Sequence, residues 1–244
     1  MAGARYYIQI KDKEVPVIVR NYKNSNSINI FFRGNILNIS KPLHTKNDEM
    51  MKIIKENEEK IYNQYLDIIE NSEVKKWENG EKILYKGEMF GIERYTIKEN
   101  RLKINLDTEK KLIKIYVAEG VSEEQIKDLT DRQIKKIFKN NTEVALQEKL
   151  PYWSKITNIE YDTYKVNDTI SKFGSCKPSQ KALYFSSRLI MLPEDKMDAI
   201  IVHELCHMIH ANHSEEFYNL VKKYIPNYEE IDLWLKENSK LMII

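Results

Sequence analysis

Cysteine is nearly absent: the 244 residues hold two, Cys176 and Cys206. That excludes a disulfide framework. The N-terminus, Met-Ala-Gly-Ala-Arg-Tyr-Tyr, has no apolar leader segment, and the two absences together point to a reducing, cytoplasmic setting. No run of about 18 apolar residues occurs, so no membrane-spanning helix is expected. An excess of one charge is missing too. Lys+Arg number 39 against 37 Asp+Glu, a net charge of +2. Residues 1–121 carry 22 basic and 18 acidic side chains, and residues 122–244 carry 17 and 19. Neither half has the basic surplus of a nucleic-acid binder. With 7 glycines and 6 prolines, the chain shows no low-complexity tract, long linker or legible internal repeat. What is present is a globular balance, 42% hydrophobic and 31% charged, long enough for one large domain or two small ones.

Four of the five histidines, 203, 207, 210 and 213, lie close together; His44 stands apart. The stretch His203-Glu204-Leu205-Cys206-His207 reads H-E-x-x-H. On a helix, residues four apart share a face, so His203 and His207 can offer two imidazole nitrogens to one metal ion. Glu204 is turned about 100° from them, off the ligand line but within reach of a water at the metal. Two ligands and a base within five residues is the zinc-hydrolase arrangement.

Such a site needs a third protein ligand. His210 shares a face with His203, but it lies about 8 Å along the axis from the midpoint of the pair. The ligand must return from beyond the helix end. His213 does so after a reversal expected at Ala211-Asn212, where Asn tolerates a left-handed conformation. Glu215 and Glu216 are alternatives, more simply read as first-turn partners of the helix dipole behind a Ser214 cap. His213 is the favoured third ligand.

Along the chain, strands are expected over 6–10, 15–20, 27–32 and 36–40, with a hairpin at Arg33-Gly34-Asn35, then a helix over 47–71. Strands resume over 75–106 and 112–117. Ser122-Glu123-Glu124-Gln125 has the form of a capping box opening a helix that Pro151 should end. Strands over 159–166 and 182–189 should pair, flanking a tight turn at 172–176. Pro193 starts the motif helix, which should last to about His210; Ser214 caps the next, Pro226 stops it, and a last helix begins near Glu229.

These stretches carry a resemblance. Lys172-Phe173-Gly174-Ser175-Cys176, then 183–193, then the H-E-x-x-H, then Asn212-His213-Ser214-Glu215-Glu216-Phe217 follow the order and spacing of the YgjP-like metallopeptidases, relatives of the SprT-like and WLM zincins. Gly80–Gly87 and the long middle helix extend the likeness more weakly. The resemblance implies an α+β fold: a β-rich N-terminal part with one helix (1–121), then a zincin-like catalytic domain (122–244) with a small sheet and an active-site helix. It implies His203, His207 and His213 as metal ligands, Glu204 as catalytic base, Zn2+ as cofactor, and a peptide or protein as substrate. Three positions depart from the family pattern: Phe173 replaces Trp, Ser186-Ser187 replace Asn-Trp, and Cys206 replaces a small residue. The second departure bears on substrate preference if that strand faces the substrate.

The first expectation is therefore a zinc peptidase, with residues 182–189 as an edge strand that pairs with an extended peptide. The same site with Lys172, Lys177, Lys181 and Arg188 around it would serve a nucleotide or phosphate-ester hydrolase. A DNA-associated adaptor is the third reading; the intact Glu204 and the small net charge argue against it. No residue declares itself an oxyanion donor; Tyr218, Tyr224 and Arg188 are ordinary helix or strand residues as they stand.

Overall fold

The computed structural model describes residues 5–23, 27–33, 36–71, 75–99, 101–170 and 172–242. The chain divides into two compact units, Met1–Glu73 and Val74–Ile244. The division expected from the sequence lies at 121/122; in the structure Ile83, Phe90, Ile92, Ile113 and Ile115 share one apolar core with Phe138, Leu183 and Val202.

In the first unit, β1 (Arg5–Ile10), β2 (Lys13–Tyr22), β3 (Asn29–Arg33) and β4 (Ile36–Pro42) form a sheet of order β1-β2-β4-β3. β2 and β4 run parallel and the outer pairs are antiparallel. Alternation sends Val15, Val17, Leu37 and Ile39 to one face, where Met50, Ile54, Ile61 and Tyr65 of the following helices bury them. Gly34-Asn35 lie outside the described residues; the strands beside them pair antiparallel with Arg33 opposite Ile36. The single helix expected over 47–71 is two, α1 (Asn47–Glu56) and α2 (Glu58–Asn71). Asn57 divides them: its backbone N–H reaches the Ile53 and Ile54 carbonyls, and its side-chain amide also donates to Ile53.

The second unit opens on the same plan, a repetition hidden in the sequence. β5 (Lys82–Tyr85), β6 (Glu88–Ile97), β7 (Lys103–Asp107) and β8 (Leu112–Ala118) are ordered β5-β6-β8-β7, again with the inner pair parallel and the outer pairs antiparallel. The inward residues correspond: Val15 and Val17 to Phe90 and Ile92, Leu37 and Ile39 to Ile113 and Ile115. A helix follows each sheet, with Met50 and Ile126 at matching buried positions.

That second helix, α3 (Glu123–Thr157), opens on the expected capping box of Ser122 and Gln125. It does not end at Pro151; it runs 35 residues with Pro151 inside. Proline removes one backbone hydrogen bond, and tertiary bonds hold the turns beyond it. Trp153 Nε1 donates to Asp198 over 2.9 Å, and the Thr157 carbonyl accepts from the Tyr224 hydroxyl over 3.2 Å. Asn158, left-handed at φ 56°, closes the helix.

The remainder forms a third sheet and three helices. β9 (Thr163–Asn167), β10 (Gly174–Lys177) and β11 (Ala182–Ser186) are ordered β10-β11-β9. Two expectations change here. Residues 172–176 are not a tight turn, since Gly174 enters strand β10. The strand from Ala182 ends at Ser186, where Ser186 Oγ accepts the Arg188 N–H and a 3₁₀ turn, Ser187–Met191, begins. β11 is therefore central, paired on both sides, and cannot receive a peptide; β10 is an edge. Pro193 precedes α4 (Glu194–Cys206), shorter than expected, and α5 (Glu215–Tyr224) and α6 (Tyr228–Asn238) complete an α+β fold. Lys149 of α3 pairs with Glu194 and Asp198 of α4, tying the two helices together. Among the described residues no helix is long and apolar enough to cross a membrane.

Candidate metal centre

α4 buries Ile201, Val202, Leu205 and Cys206 completely, which turns His203 and Glu204 toward a cleft of about 580 Å³. His207 is the C-cap of α4. The chain then returns without a left-handed residue: Asn212, expected to supply one, keeps a negative φ. The turn forms instead from Met208 N–H to the Leu205 carbonyl and His210 N–H to the Cys206 carbonyl. Ser214 caps α5 by accepting the Phe217 N–H, as expected, and this sets His213 opposite the helix end.

The result is convergence. His203 Nε2 lies 3.1 Å from His207 Nε2 and 3.2 Å from His213 Nε2. The three histidines each offer one ligand atom within 4.8 Å of the others, a set that could hold a metal ion. Nitrogens bound to one tetrahedral zinc at ~2.0–2.1 Å stand about 3.3 Å apart, so the spacing matches. The imidazole of His210, and Glu215 and Glu216, are not in this set.

The outward nitrogens are fixed as well. His207 Nδ1 lies 3.0 Å from the His210 carbonyl, which can only accept. Nδ1 therefore carries the proton and Nε2 presents its lone pair to the centre. His203 Nδ1 lies 2.6 Å from the Tyr228 hydroxyl, whose oxygen accepts in the same tautomer. Phe217, fully buried, packs against all three rings, with centroids 4.8, 4.4 and 5.0 Å from His203, His207 and His213. Burial, reinforced by His207 and His213, pushes the His203 pKa down to about 3, and burial also lowers that of His207. Both stand neutral at neutral pH, the form that ligates.

Glu204 is 5% exposed and its Oε2 has no hydrogen-bond partner. Burial pushes its carboxyl up to about 8, opposed by Lys172. An orphaned carboxylate oxygen beside three converging lone pairs suits a site completed by a cation and a water.

Of the four cations expected around the site, Lys172 alone lines the cleft. Lys177 lies over the Tyr184 ring and Lys181 pairs with Glu160. Arg188 is buried, donating to the Met242 and Ile170 carbonyls with its guanidinium over Phe173. Ser186 and Ser187 are buried too, so they do not face a substrate. Cys176 lines the cleft with its thiol 3.5 Å from Met208 Sδ, and Cys206 packs in the core. The Tyr224 hydroxyl donates to the Thr157 carbonyl, away from the centre.

A model of the YgjP-like metallopeptidase domain matches residues 24–238. The chain belongs to the YgjP-like metallopeptidase family. Membership makes it a metal-dependent peptidase, with a catalytic metal and peptide or protein substrates. Comparison with curated proteins gave no significant match. Two solved metallopeptidase zymogens are similar over a limited stretch. Abylysin of Pyrococcus abyssi is 19% identical with a TM-score of 0.35, covering 38% of this chain and 93% of that one. Jannalysin of Methanocaldococcus jannaschii is 22% identical with a TM-score of 0.35, covering 38% and 94%.

Two participants in this YgjP-like centre escaped the sequence: Tyr228 and the His210 carbonyl. They act on ligands from 25 and 3 residues away. No spacing rule singles out a tyrosine or a main-chain carbonyl for that task.

Proposed function

We propose that the chain is a zinc-dependent peptidase in which His203, His207 and His213 hold the ion and Glu204 is the general base. The observation that carries this reading is the set of three Nε2 atoms at zinc spacing beside the unpartnered Glu204 carboxylate. A zinc ion held by His203, His207 and His213 would supply Lewis acidity for the scissile carbonyl and for water. Glu204 takes the proton of the attacking water and passes it to the leaving amine. Tyr228 and the His210 carbonyl hold two imidazoles in the ligating tautomer.

The substrate enters along β10. Ser186 N–H donates to the Phe173 carbonyl over 2.8 Å, so Phe173, Ser175 and Lys177 turn their main-chain groups toward β11. By alternation Gly174 and Cys176 turn theirs outward, where an extended peptide can pair. Pro178 follows at once and limits that edge to a few residues. The phosphohydrolase alternative loses most of its cations, which weighs against it.

The test is bound metal, followed by turnover of casein-derived peptides and of nucleoside triphosphates. Wild type should carry zinc and cleave peptides. Glu204→Gln should keep the metal and lose roughly 10²–10⁴-fold in turnover. Hydrolysis of nucleotides alone, abolished by the same substitution, would sink the peptidase reading.

A further inference from the structure

Gly174 sits in the edge strand with its backbone facing the cleft, and no left-handed φ requires a glycine there. Its need for one is steric. A Cβ at this position would lie 2.6 Å from Glu204 Cγ, 2.6 Å from Oε1 and 2.8 Å from Cδ. The nearest heavy atoms to that Cβ all belong to one side chain, the buried carboxylate whose Oε2 has no partner. Packing at such separations is forbidden, so something must move, and a side chain end yields before a backbone does.

We propose that Gly174 is a positioning residue for Glu204: the bare Cα of the edge strand forms the wall that holds the base carboxylate in place. The inference rests on the reading of Glu204 as base. Glu204 takes up the space that a methyl group would occupy, and it cannot retreat into α4, whose neighbours on the far side are fully buried apolar residues. Contact with Gly174 on one side and the packed helix on the other define where the carboxylate lies relative to substrate. A methyl group at position 174 pushes it toward the open cleft while leaving the histidines, on other faces, where they are. An ångström of displacement in a catalytic group lowers rate about 100-fold.

The experiment is Gly174→Ala, alone and combined with Glu204→Ala, in the full chain. The single variant should keep its bound zinc and lose roughly 100-fold in kcat with little change in KM. A rise in KM at constant kcat would mean that the methyl group disturbs the peptide paired along the outward main chain of Gly174 and not the base, and would overturn the proposal, as would near-wild-type kcat or loss of metal. Thermal midpoints provide a readout independent of turnover. Gly174→Ala should lower the midpoint beside Glu204 and leave it unchanged in the Glu204→Ala background, where the clashing atoms are gone. Equal shifts in both backgrounds overturn the steric coupling. If Gly174→Ala folds poorly by itself, recovery in the double variant supports it and failure there refutes it. Wild type that binds metal yet cuts no peptide would defeat the peptidase reading separately, whatever the midpoints show.

Discussion

The two four-stranded modules have the same strand order and the same inward positions, and differ where something else is attached. In the first, the hairpin tip Lys11-Asp12 is bonded to the helix of its own module: Lys11 pairs with Glu59, and the Tyr62 hydroxyl donates to Asp12 over 2.6 Å. In the second, the matching tip is Lys86-Gly87. Its N–H groups donate to the Ile190 and Met191 carbonyls over 2.8 and 2.9 Å, and it abuts Pro193 at the start of α4. The helices differ likewise. The first breaks at Asn57, whereas α3 continues as a rod to which Ser187, Glu194 and Asp198 are bonded. One plan thus serves as a self-contained unit and as the frame of a reactive centre. What distinguishes them is the docking of tip and helix, not the sheet.

The strongest way to break that distinction is at Gly87. Its φ is +78°, and a Cβ would lie 2.8 Å from the Pro193 Cα. Gly87→Ala therefore incurs a left-handed backbone cost of about 1–2 kcal/mol and an overlap cost of about 1–3 kcal/mol. Chemical denaturation should show a loss of about 2–5 kcal/mol in the second unit. Amide exchange should rise at the start of α4. Asp12→Gly at the matching position should be mild by comparison, because Asp12 keeps a negative φ and its hydrogen bond to Tyr62 is solvent-exposed. Equal effects at the two tips would mean that the docked hairpin is not what sets the modules apart.

The next contrast is in pH. Among the described residues the first unit buries neither a histidine nor a carboxylate, while the second buries Glu204 and much of His203. In the metal-free protein the His203 pKa falls from 6.5 to about 3, so its contribution to stability is present above pH 6.5 and lost as the pH drops toward 3. The Glu204 pKa rises from 4.5 to about 8, so its contribution is complete below pH 4.5 and lost as the pH climbs through 8. The two losses bracket a maximum near pH ~5–6. Urea midpoints with a chelator present, read by exchange in each unit, should show this profile in the second unit only. Glu204→Gln should remove the alkaline limb and leave the acid limb. A flat profile would deny the burial of both groups.

These contrasts also mark what the sequence made legible. The convergence of His203, His207 and His213 was legible because a helix converts spacing into direction, so that 203 and 207 share a face, and because a reversal is expected past the helix end; the left-handed Asn212 expected to make that reversal is not there. The capping box at Ser122 is equally local. The repeated module was not readable, since a buried strand position asks only for an apolar side chain; Val17 and Ile92, or Leu37 and Ile113, satisfy it without identity. Position in a sheet was misread for the same reason. Hydrophobicity marked 182–189 as a strand, but only pairing on both sides shows that its strand part, Ala182–Ser186, is central. Pro151 inside α3 is a case of tertiary bonds overriding a local rule. Gly174 stayed hidden because its role is an absence, a missing methyl group defined by a side chain 30 residues away.

The mildest contrast lies at the helix starts. Lys46 and Ser122 occupy the same N-cap position with nearly the same backbone, φ −71° and ψ 154° against φ −68° and ψ 152°. Ser122 accepts the Gln125 N–H there, while Lys46 makes no side-chain cap bond. The geometry for a cap is therefore already built in the first unit, and Glu49 stands three residues on, where a capping box needs its second partner. Lys46→Ser should complete it, stabilising the first unit by about 0.5–1 kcal/mol, with slower amide exchange in α1 and none of the effect spreading to the centre. Ser122→Ala should cost a similar amount at the head of α3. If Lys46→Ser gives no gain, the break at Asn57 rather than the missing cap limits that helix, and the two modules differ by where the helix ends instead of how it begins.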